Sequence, residues 1–346
     1  KEDMDLFESM FGIRLNEEDD EPLTNPDEIE DEAEEVRDTN DLANLVSRLE
    51  RGGYSPQQIK SLFIKLDVYD NLTPLIKILE DSNITDSSAG VSDINDLLAS
   101  TLSKTPKGLL NFINTYQTTN LNYNDLDTTG NIFDKVKKHY NLPLDLVREI
   151  FLTSGRKEGG GVGDGEIGLA LFFNDVKKSD GDGDNTFNQK PLEVKGTGGR
   201  PGKQERVASR NSPLLKLVDS TQGITNPTRF DVFVPQLIQS GVDEKKLFDL
   251  LEEFRKEYYS NADKLSTFIS PEKLNNNSDV RKAFQKIMIS NYLNKLKYEQ
   301  IFFMNKSGKY YKFNSKTELY QFIEDTPKKF SSPVKSEDLD KQMFTS

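Results

Sequence analysis

The sequence of 346 residues contains no cysteine and a single histidine, His139. Without cysteine, the chain can form no disulfide, no cysteine-ligated zinc site and no thiol nucleophile. Any Ser-His-Asp arrangement would have to use His139, which lies among lysines and has no evident orienting partner. We interpret it as a solvated or helix-end residue.

Long apolar runs are also missing. No segment approaches the roughly 20 apolar residues of a membrane span, and none resembles a secretory signal. The sequence therefore predicts a soluble protein with no membrane partner. Its length predicts one large domain with additions, or two domains.

Negative charge is concentrated at one end of the chain. The formal net charge is −13, but residues 1–50 hold 19 acidic and 4 basic residues, a net charge of −15. Residues 51–346 hold 39 acidic and 41 basic residues, a net charge of +2. The acidity therefore says little about the body of the chain.

The N-terminal segment is predicted to be an acidic arm over residues 1–40, disordered or ordered by a partner, because residues 15–40 carry much like charge and little apolar surface. The apolar residues between Met4 and Ile13 fit either a short docking helix or a frayed terminus. We assign residues 41–125 to a helical region, residues 126–325 to the main domain and residues 326–346 to a tail.

Apolar residues at helical spacing predict several amphipathic helices. One follows the cap and first-turn pair Ser55-Pro56. The apolar positions of these helices fall within residues 42–49, 59–66, 75–79, 94–102, 109–113, 144–152 and 247–258. Residues 300–313 are expected to form two strands joined by a turn over Asn305 to Gly308.

Residues 180–197, DGDGDNTFNQKPLEVKGT, combine acidic and basic residues with a predicted strand. Asp180, Asp182 and Asp184 match positions 1, 3 and 5 of a calcium-binding EF-hand loop. However, Asn185 replaces the glycine at position 6, and Pro191 replaces the bidentate glutamate at position 12. A calcium-binding module is therefore a minor alternative.

The second half of this stretch fits a different metal chemistry. In a strand over LEVKG, Glu193 and Lys195 share one face, and Leu192 and Val194 share the other, so the charged pair lies on a surface backed by core. A hairpin turn over NQKP can return Asp184 to Glu193. Two convergent carboxylates suit Mg²⁺, and a lysine beside them suits metal-assisted phosphodiester hydrolysis.

A third carboxylate, Glu166, begins the predicted helix EIGLALFFND. The apolar residues of this helix are expected to bury it against the sheet and to leave Glu166 at the rim. Glu166 is then either a favourable charge at a helix N-terminus or, beside the hairpin, a metal ligand or orienting group.

The order of these motifs resembles the PD-(D/E)xK nuclease superfamily, and its phage-encoded members in particular. The motifs are Glu166 with IGLALFF, Gly183-Asp184, the strand LEVKG and the turn Gly198-Gly199-Arg200, and the resemblance covers residues 155–210. It implies an α/β (α+β) fold of the restriction-endonuclease-like kind, a mixed sheet flanked by helices, here with an added N-terminal helical region.

The resemblance also implies roles for individual residues. Asp184, Glu193 and Glu166 become ligands of Mg²⁺ or Mn²⁺, and Lys195 becomes the catalytic lysine. The family usually has an apolar residue after the aspartate, where this chain has Asn185. This departure leaves Asp182 as a rival to Asp184.

A basic segment follows the strand, with six basic residues and one acidic residue over positions 195–216. Such a cluster could hold DNA phosphates through charge and bidentate arginine contacts, or it could be a solvated helix face. The residues expected to bind DNA are Arg200, Lys203, Arg206 and Arg210.

We therefore expect a metal-dependent DNA endonuclease encoded by a phage, located in the host cytoplasm or in the virion. Its N-terminal arm and helices are expected to contact other phage or assembly proteins. The alternative, from a different class, is a structural virion protein of the capsid, neck or tail that retains the nuclease-like fold.

Overall fold

The computed structural model describes residues 21–68, 72–84, 106–153, 155–157, 160–179, 184–196, 212–226 and 229–325. Within these residues the chain is a mixed α/β protein with thirteen α-helices and a six-stranded mixed sheet. The chain divides into two compact units. The first contains Lys1–Gln189 with Lys306–Tyr311, and the second contains Lys190–Asn305 with Lys312–Ser346.

The α-helices vary in length from 7 residues in the shortest to 19 in the longest. None of those in the described ranges is both long and apolar enough to cross a membrane. They are α1 (Pro26–Glu35), α2 (Thr39–Arg51), α3 (Pro56–Lys65), α4 (Thr73–Asp81), α5 (Pro106–Thr118), α6 (Ile132–Tyr140), α7 (Leu144–Phe151), α8 (Glu166–Phe172), α9 (Pro213–Ser220), α10 (Phe230–Gln239), α11 (Glu244–Tyr258), α12 (Asn277–Lys295) and α13 (Lys316–Asp325).

The sheet has the strand order β1-β8-β7-β6-β5-β4, and β2 and β3 form a separate antiparallel pair. Strands β1 and β8 pair antiparallel, as do β4 and β5, whereas β6 and β7 pair parallel. The strands are β1 (Thr129–Asn131), β2 (Gly155–Lys157), β3 (Gly160–Val162), β4 (Val176–Lys178), β5 (Asn185–Phe187), β6 (Lys190–Lys195), β7 (Gln300–Met304) and β8 (Lys309–Phe313).

Most of the helices and strands predicted from apolar spacing are confirmed. Helix α3 begins as its sequence indicates, with the Ser55 side chain accepting from the Gln58 N–H and Pro56 at the first helical position. The strands expected over residues 300–313 are β7 and β8, and Gly308 between them has a φ of 84°, which favours glycine. The helix expected over residues 94–102 lies outside the described residues.

The expectation of an unpacked acidic arm is wrong for residues 26–35, which form α1. Ile29, Ala33 and Val36 are each at most 2 % exposed, and Leu23 before the helix is also buried. These apolar residues repeat at helical spacing, so one face packs, and six of the seven acidic residues of the helix are exposed. Composition alone concealed this periodicity. The remainder of the arm that precedes residue 21, with its proposed docking helix, lies outside the described residues.

An aromatic cluster holds α5, α7 and α8 together in the first unit. The ring of Phe172 stacks on Phe151 at 5.7 Å between centroids and meets Phe112 edge-on at 5.5 Å. Gly168 in α8 allows this close approach, because a Cβ atom there would lie 2.5 Å from the Phe151 ring. Burying each such aromatic side chain contributes about 1.5–3 kcal/mol, so this cluster fixes the position of α8.

The second unit has its own apolar core, built from helices α9 to α12 and the segment between α11 and α12. The buried Arg255 of α11 joins this helix to the segment that follows it. Its Nε and Nη2 donate to Glu252 at 3.1 and 2.8 Å, and its Nη1 donates to the carbonyl of Ala262 at 2.9 Å. Burial disfavours the ionised form of Glu252, but Arg255 and the Leu265 N–H hold the pKa of this carboxyl below its ordinary value.

Strand β5 continues into β6 through the two residues Asn188 and Gln189. Both have left-handed backbone conformations, with φ values of 51° and 63°. Two consecutive residues of this kind are typical of a type I′ hairpin turn. The tight turn predicted over NQKP is therefore present between the end of β5 and the start of β6.

Candidate functional site

Glu166 is the first residue of α8, and the local backbone fixes where its side chain lies. Gly165 before it has a φ of 96°, and the Gly165 N–H donates to the carbonyl of Phe151 at 2.7 Å. The Glu166 side chain turns back, and its Oε1 accepts from the Gly163 N–H at 2.6 Å. Glu166 is only 4 % exposed, so the expectation of a residue at the solvent rim is wrong.

Lys178 of β4 is the ionic partner of Glu166. Its Nζ lies 2.8 Å from Glu166 Oε2, and both side chains are 5 % exposed. The same Nζ donates to the backbone carbonyl of Asp184. Strand alternation places Lys178 on the buried side with Val176 and leaves Lys177 exposed. The ammonium group of Lys178 thus connects the start of α8 to the residue that precedes β5.

Asp184 acts on Glu166 through its charge. Burial is the main reason why the pKa of Glu166 lies above its ordinary value, and the negative charge of Asp184 raises that pKa further. Lys178 acts in the opposite direction. The first unit therefore brings together two of the predicted carboxylates, with one ammonium group to offset them.

Asn185 occupies the position where the resembled family usually has an apolar residue. It is fully buried, and its Nδ2 donates to the backbone carbonyl of Glu166 at 2.9 Å. The amide replaces apolar packing with a hydrogen bond between β5 and α8. The departure from the family pattern thus has a local structural role beside Glu166.

In the second unit, Glu193 of β6 forms a compact group with Lys195 and Tyr292. Its Oε1 accepts a hydrogen bond from the hydroxyl of Tyr292 and forms an ion pair with the Nζ of Lys195. That Nζ also lies 5.9 Å from the centroid of the Tyr292 ring, within the range of a cation–π contact. Tyr292 comes from the last part of α12 and reaches a carboxylate 99 residues away in the chain.

The burial of this group differs from the sequence-based expectation. Leu192 and Val194 are buried as predicted, but Glu193 is also fully buried, whereas Lys195 and Tyr292 retain partial exposure. Strand β6 is an interior strand that pairs in parallel with β7, where Glu193 is opposite Ile301. Interior strands of this kind are covered on both faces, so period-two alternation does not leave one side in solvent.

The predicted residues thus fall into two groups, Glu166 with Asp184 in the first unit and Glu193 with Lys195 in the second. In the described parts of the chain, no three acidic or histidine side chains form a group that could hold a metal ion. The predicted set of three metal ligands stays a prediction. Outside the described residues lie Asp182 and the expected DNA-binding residues Arg200, Lys203, Arg206 and Arg210.

The calcium-loop alternative is not supported by the elements around it. An EF-hand loop continues into a helix, and its twelfth residue supplies a bidentate carboxylate. Here position 12 is Pro191, which lies in β6, and the five residues that precede it include the turn at Asn188 and Gln189. The chain runs from strand to strand at this point.

Sequence reasoning missed Lys178 and Tyr292, and it noted Asn185 only as a departure from the family pattern without its hydrogen bond to Glu166. The signal for Lys178 was available, because a short strand after a buried helix places alternate residues inward. Tyr292 gave no such signal. It lies in a long helix that is buried on most sides and mixes polar with apolar residues, so its periodicity does not show which side chain reaches β6.

The donor groups of the first unit fit a hard divalent cation. Carboxylate oxygens from Glu166 and Asp184 are the ligand type that Mg²⁺ and Mn²⁺ prefer, and Mg²⁺ often uses only one or two carboxylates with water and phosphate completing its shell. When both carboxylates are ionised, the single positive charge of Lys178 does not offset their two negative charges. A bound cation would do so.

Comparison with known proteins adds no relative to this picture. The chain has no significant match among protein-family models, curated proteins or solved structures.

Proposed function

We propose that the chain is a metal-dependent DNA endonuclease of the PD-(D/E)xK superfamily, with a restriction-endonuclease-like fold and of the phage-encoded type. The observation that carries the proposal is the strand β6, on which a buried glutamate and a lysine two residues later form an ion pair. This pair is the Glu-x-Lys of the resembled motif, and the hairpin before it continues from Asp184. The helix carboxylate Glu166 supplies the remaining element.

In this proposal Asp184, Glu193 and Glu166 are the carboxylates that hold Mg²⁺ or Mn²⁺. The ion, when bound, lowers the pKa of a water molecule and offsets charge on the phosphate. Lys195 keeps its ammonium group beside Glu193 and stabilises negative charge on the attacking water or on the phosphate. Tyr292 orients the Glu193 carboxylate by donating a hydrogen bond to it.

The proposed nucleic-acid contacts come from the basic segment after β6. Arg200, Lys203, Arg206 and Arg210 are proposed to bind DNA phosphates, where arginine can form paired hydrogen bonds. The acidic N-terminal region is proposed to contact other phage or assembly proteins, in the host cytoplasm or in the virion. Its helix α1 has seven acidic and no basic residues, so a basic partner surface is expected.

A structural virion protein is the second candidate. It is favoured by the complete burial of Glu193, because a buried ion pair with hydrogen-bonded partners can serve packing alone. The two candidates differ in whether the intact charged groups perform chemistry.

Cleavage of supercoiled plasmid DNA by the full-length protein separates these candidates. We expect nicked and then linear DNA with Mg²⁺ or Mn²⁺, and no cleavage in the presence of EDTA. Agarose gel electrophoresis over a time course measures the rate. An intact protein that cleaves neither supercoiled, linear nor single-stranded DNA with either metal would disprove the enzymatic proposal and leave the structural one.

A Tyr292→Phe substitution tests the proposed positioning of Glu193. The ring and its contact with Lys195 remain, and only the hydroxyl that donates to Glu193 is lost. We expect the cleavage rate at saturating Mg²⁺ to fall about 10-fold, in the range typical of groups that orient a metal ligand. A rate equal to that of the unmodified protein, with the thermal unfolding midpoint also unchanged, would remove Tyr292 from the site.

A further inference from the structure

Lys178 is a buried cation that the Glu-x-Lys motif does not include. Its Nζ has two acceptors in the first unit, Glu166 Oε2 at 2.8 Å and the backbone carbonyl of Asp184. Both side chains of the ion pair are 5 % exposed, so the interaction is little screened by solvent. The ammonium group of Lys178 is therefore in direct contact with the Glu166 carboxylate and offsets its charge.

The backbone of Lys178 is anchored independently of its side chain. Its N–H donates to the carbonyl of Ser82 at 2.9 Å, and its carbonyl accepts from Asn83 Nδ2 at 2.7 Å. In the β4–β5 pairing it is opposite Asn185, the residue that is hydrogen-bonded to the backbone of Glu166. The four-carbon side chain can therefore release Glu166 without moving β4, and the Asp184 carbonyl remains as an acceptor for its Nζ.

We infer that Lys178 is the internal counter-cation of the Glu166–Asp184 pair and that a divalent cation competes with its ammonium group for the Glu166 carboxylate. The inference rests on the proposed function in one respect only, that the Glu166–Asp184 pair binds a divalent cation. Lys178 is thus a positioning residue: it keeps Glu166 in place before a metal binds, and it lowers metal affinity in return.

The charge balance explains both effects. When ionised, Glu166 and Asp184 together carry two negative charges and Lys178 carries one positive charge, so the group has one net negative charge without metal. Addition of a divalent cation beside an ammonium group is opposed by like-charge repulsion in poorly screened surroundings. Once both cations are present, the group has a net positive charge that suits an anionic phosphate.

Equilibrium Mn²⁺ binding to the full-length protein tests the inference without DNA and without activity. Free Mn²⁺ is measured by electron paramagnetic resonance for the unmodified protein, Lys178→Met and the control Lys177→Met. Lys177 is adjacent on the same strand, but its side chain is exposed. We expect Lys178→Met to bind Mn²⁺ about 10-fold more tightly, because the repulsion is removed. Lys177→Met should differ by less than about 2-fold, because solvent and salt screen an exposed charge.

Thermal unfolding of the same proteins gives the second measurement. We expect Lys178→Met to have a lower unfolding midpoint than the unmodified protein without metal, and a larger upward shift with Mn²⁺, because tighter binding stabilises the folded state more. If Lys178→Met is unfolded without metal, recovery of its folded circular dichroism spectrum on adding Mn²⁺ supports the inference, and failure to recover overturns it.

The results also separate this inference from the proposed nuclease. Unchanged or weaker Mn²⁺ binding by folded Lys178→Met overturns the inference even if the unmodified protein cleaves DNA. Tighter binding by Lys178→Met supports it even if no cleavage is found, and the proposed nuclease alone then fails. Absence of Mn²⁺ binding in both the unmodified protein and Lys178→Met overturns the inference as well.

Discussion

Replacing Glu193 with glutamine is expected to lower the rate of Mg²⁺-dependent plasmid cleavage by about 10³-fold, which is within the range for loss of one essential charged group. Glutamine has nearly the same volume and can still accept from the Tyr292 hydroxyl. The substitution removes only the negative charge that a metal ion and Lys195 require. Initial rates of supercoiled plasmid loss at saturating Mg²⁺ measure the effect.

The matched control is Glu299→Gln. Glu299 precedes β7 in the same unit, is 56 % exposed on its side chain and forms a surface ion pair with Lys190. Its loss should change the cleavage rate by less than about 2-fold, since exposed ion pairs contribute little. If Glu193→Gln cleaves DNA at the full rate, Glu193 is not part of the catalytic site. Near-ultraviolet circular dichroism then confirms that both variants keep their packed aromatic residues.

Replacing Arg255 with methionine is expected to destabilise the second unit by about 3–5 kcal/mol, the usual cost of removing one partner from a buried ion pair. The guanidinium group serves Glu252 and the carbonyls of Tyr259 and Ala262, and methionine can donate to none of them. This loss is large compared with the 5–15 kcal/mol that separate most native states from unfolded chains. Urea unfolding at neutral pH, followed by circular dichroism, measures the free energy of unfolding.

Lys256→Met is the control, because Lys256 is the next residue of α11 and its side chain is exposed. Its free energy of unfolding should lie within about 0.5 kcal/mol of that of the unmodified protein. Because the pKa of Glu252 is lowered in the folded state, its contribution is complete at neutral pH and is lost only as the pH falls below about 4. Equal stability of the two variants at neutral pH would contradict the role assigned to Arg255.

Local patterns predicted local structure well. The spacing of leucines and the Ser55-Pro56 pair located α2 and α3, and the alternation in LEVKG located β6. The short apolar segment after Glu166 located α8. In each case neighbouring residues carry the information, because capping and side-chain periodicity act within a few residues.

Burial was harder to predict, because it depends on segments that are distant in the chain. Nothing in residues 190–196 indicates that the side chain of Tyr292 lies over Glu193. Likewise, the sequence around Glu166 does not show that Lys178 returns from β4 to pair with it. The motif located the charged residues, and only tertiary packing determined which of them reach solvent.

For the acidic arm, the sequence analysis predicted too little folded structure. A composition rich in glutamate and aspartate predicted an unpacked segment, yet residues 26–35 fold as α1. A few apolar residues at the correct spacing suffice to attach a charged helix, because burial depends on one face and composition averages over all faces. Periodicity was the better guide at this position.

The two-residue turn at Asn188 and Gln189 also limits how this protein can diverge. The turn has only two residues and cannot absorb a change in length. Inserting or deleting one residue between Asp184 and Glu193 would therefore shift β6 by one position and exchange its two faces. Leu192 or Val194 would then stand where the carboxylate belongs. Homologous sequences should therefore align across residues 184–195 without gaps. The spacing of nine positions from Asp184 to Glu193 should identify homologues better than the identity of most residues between them.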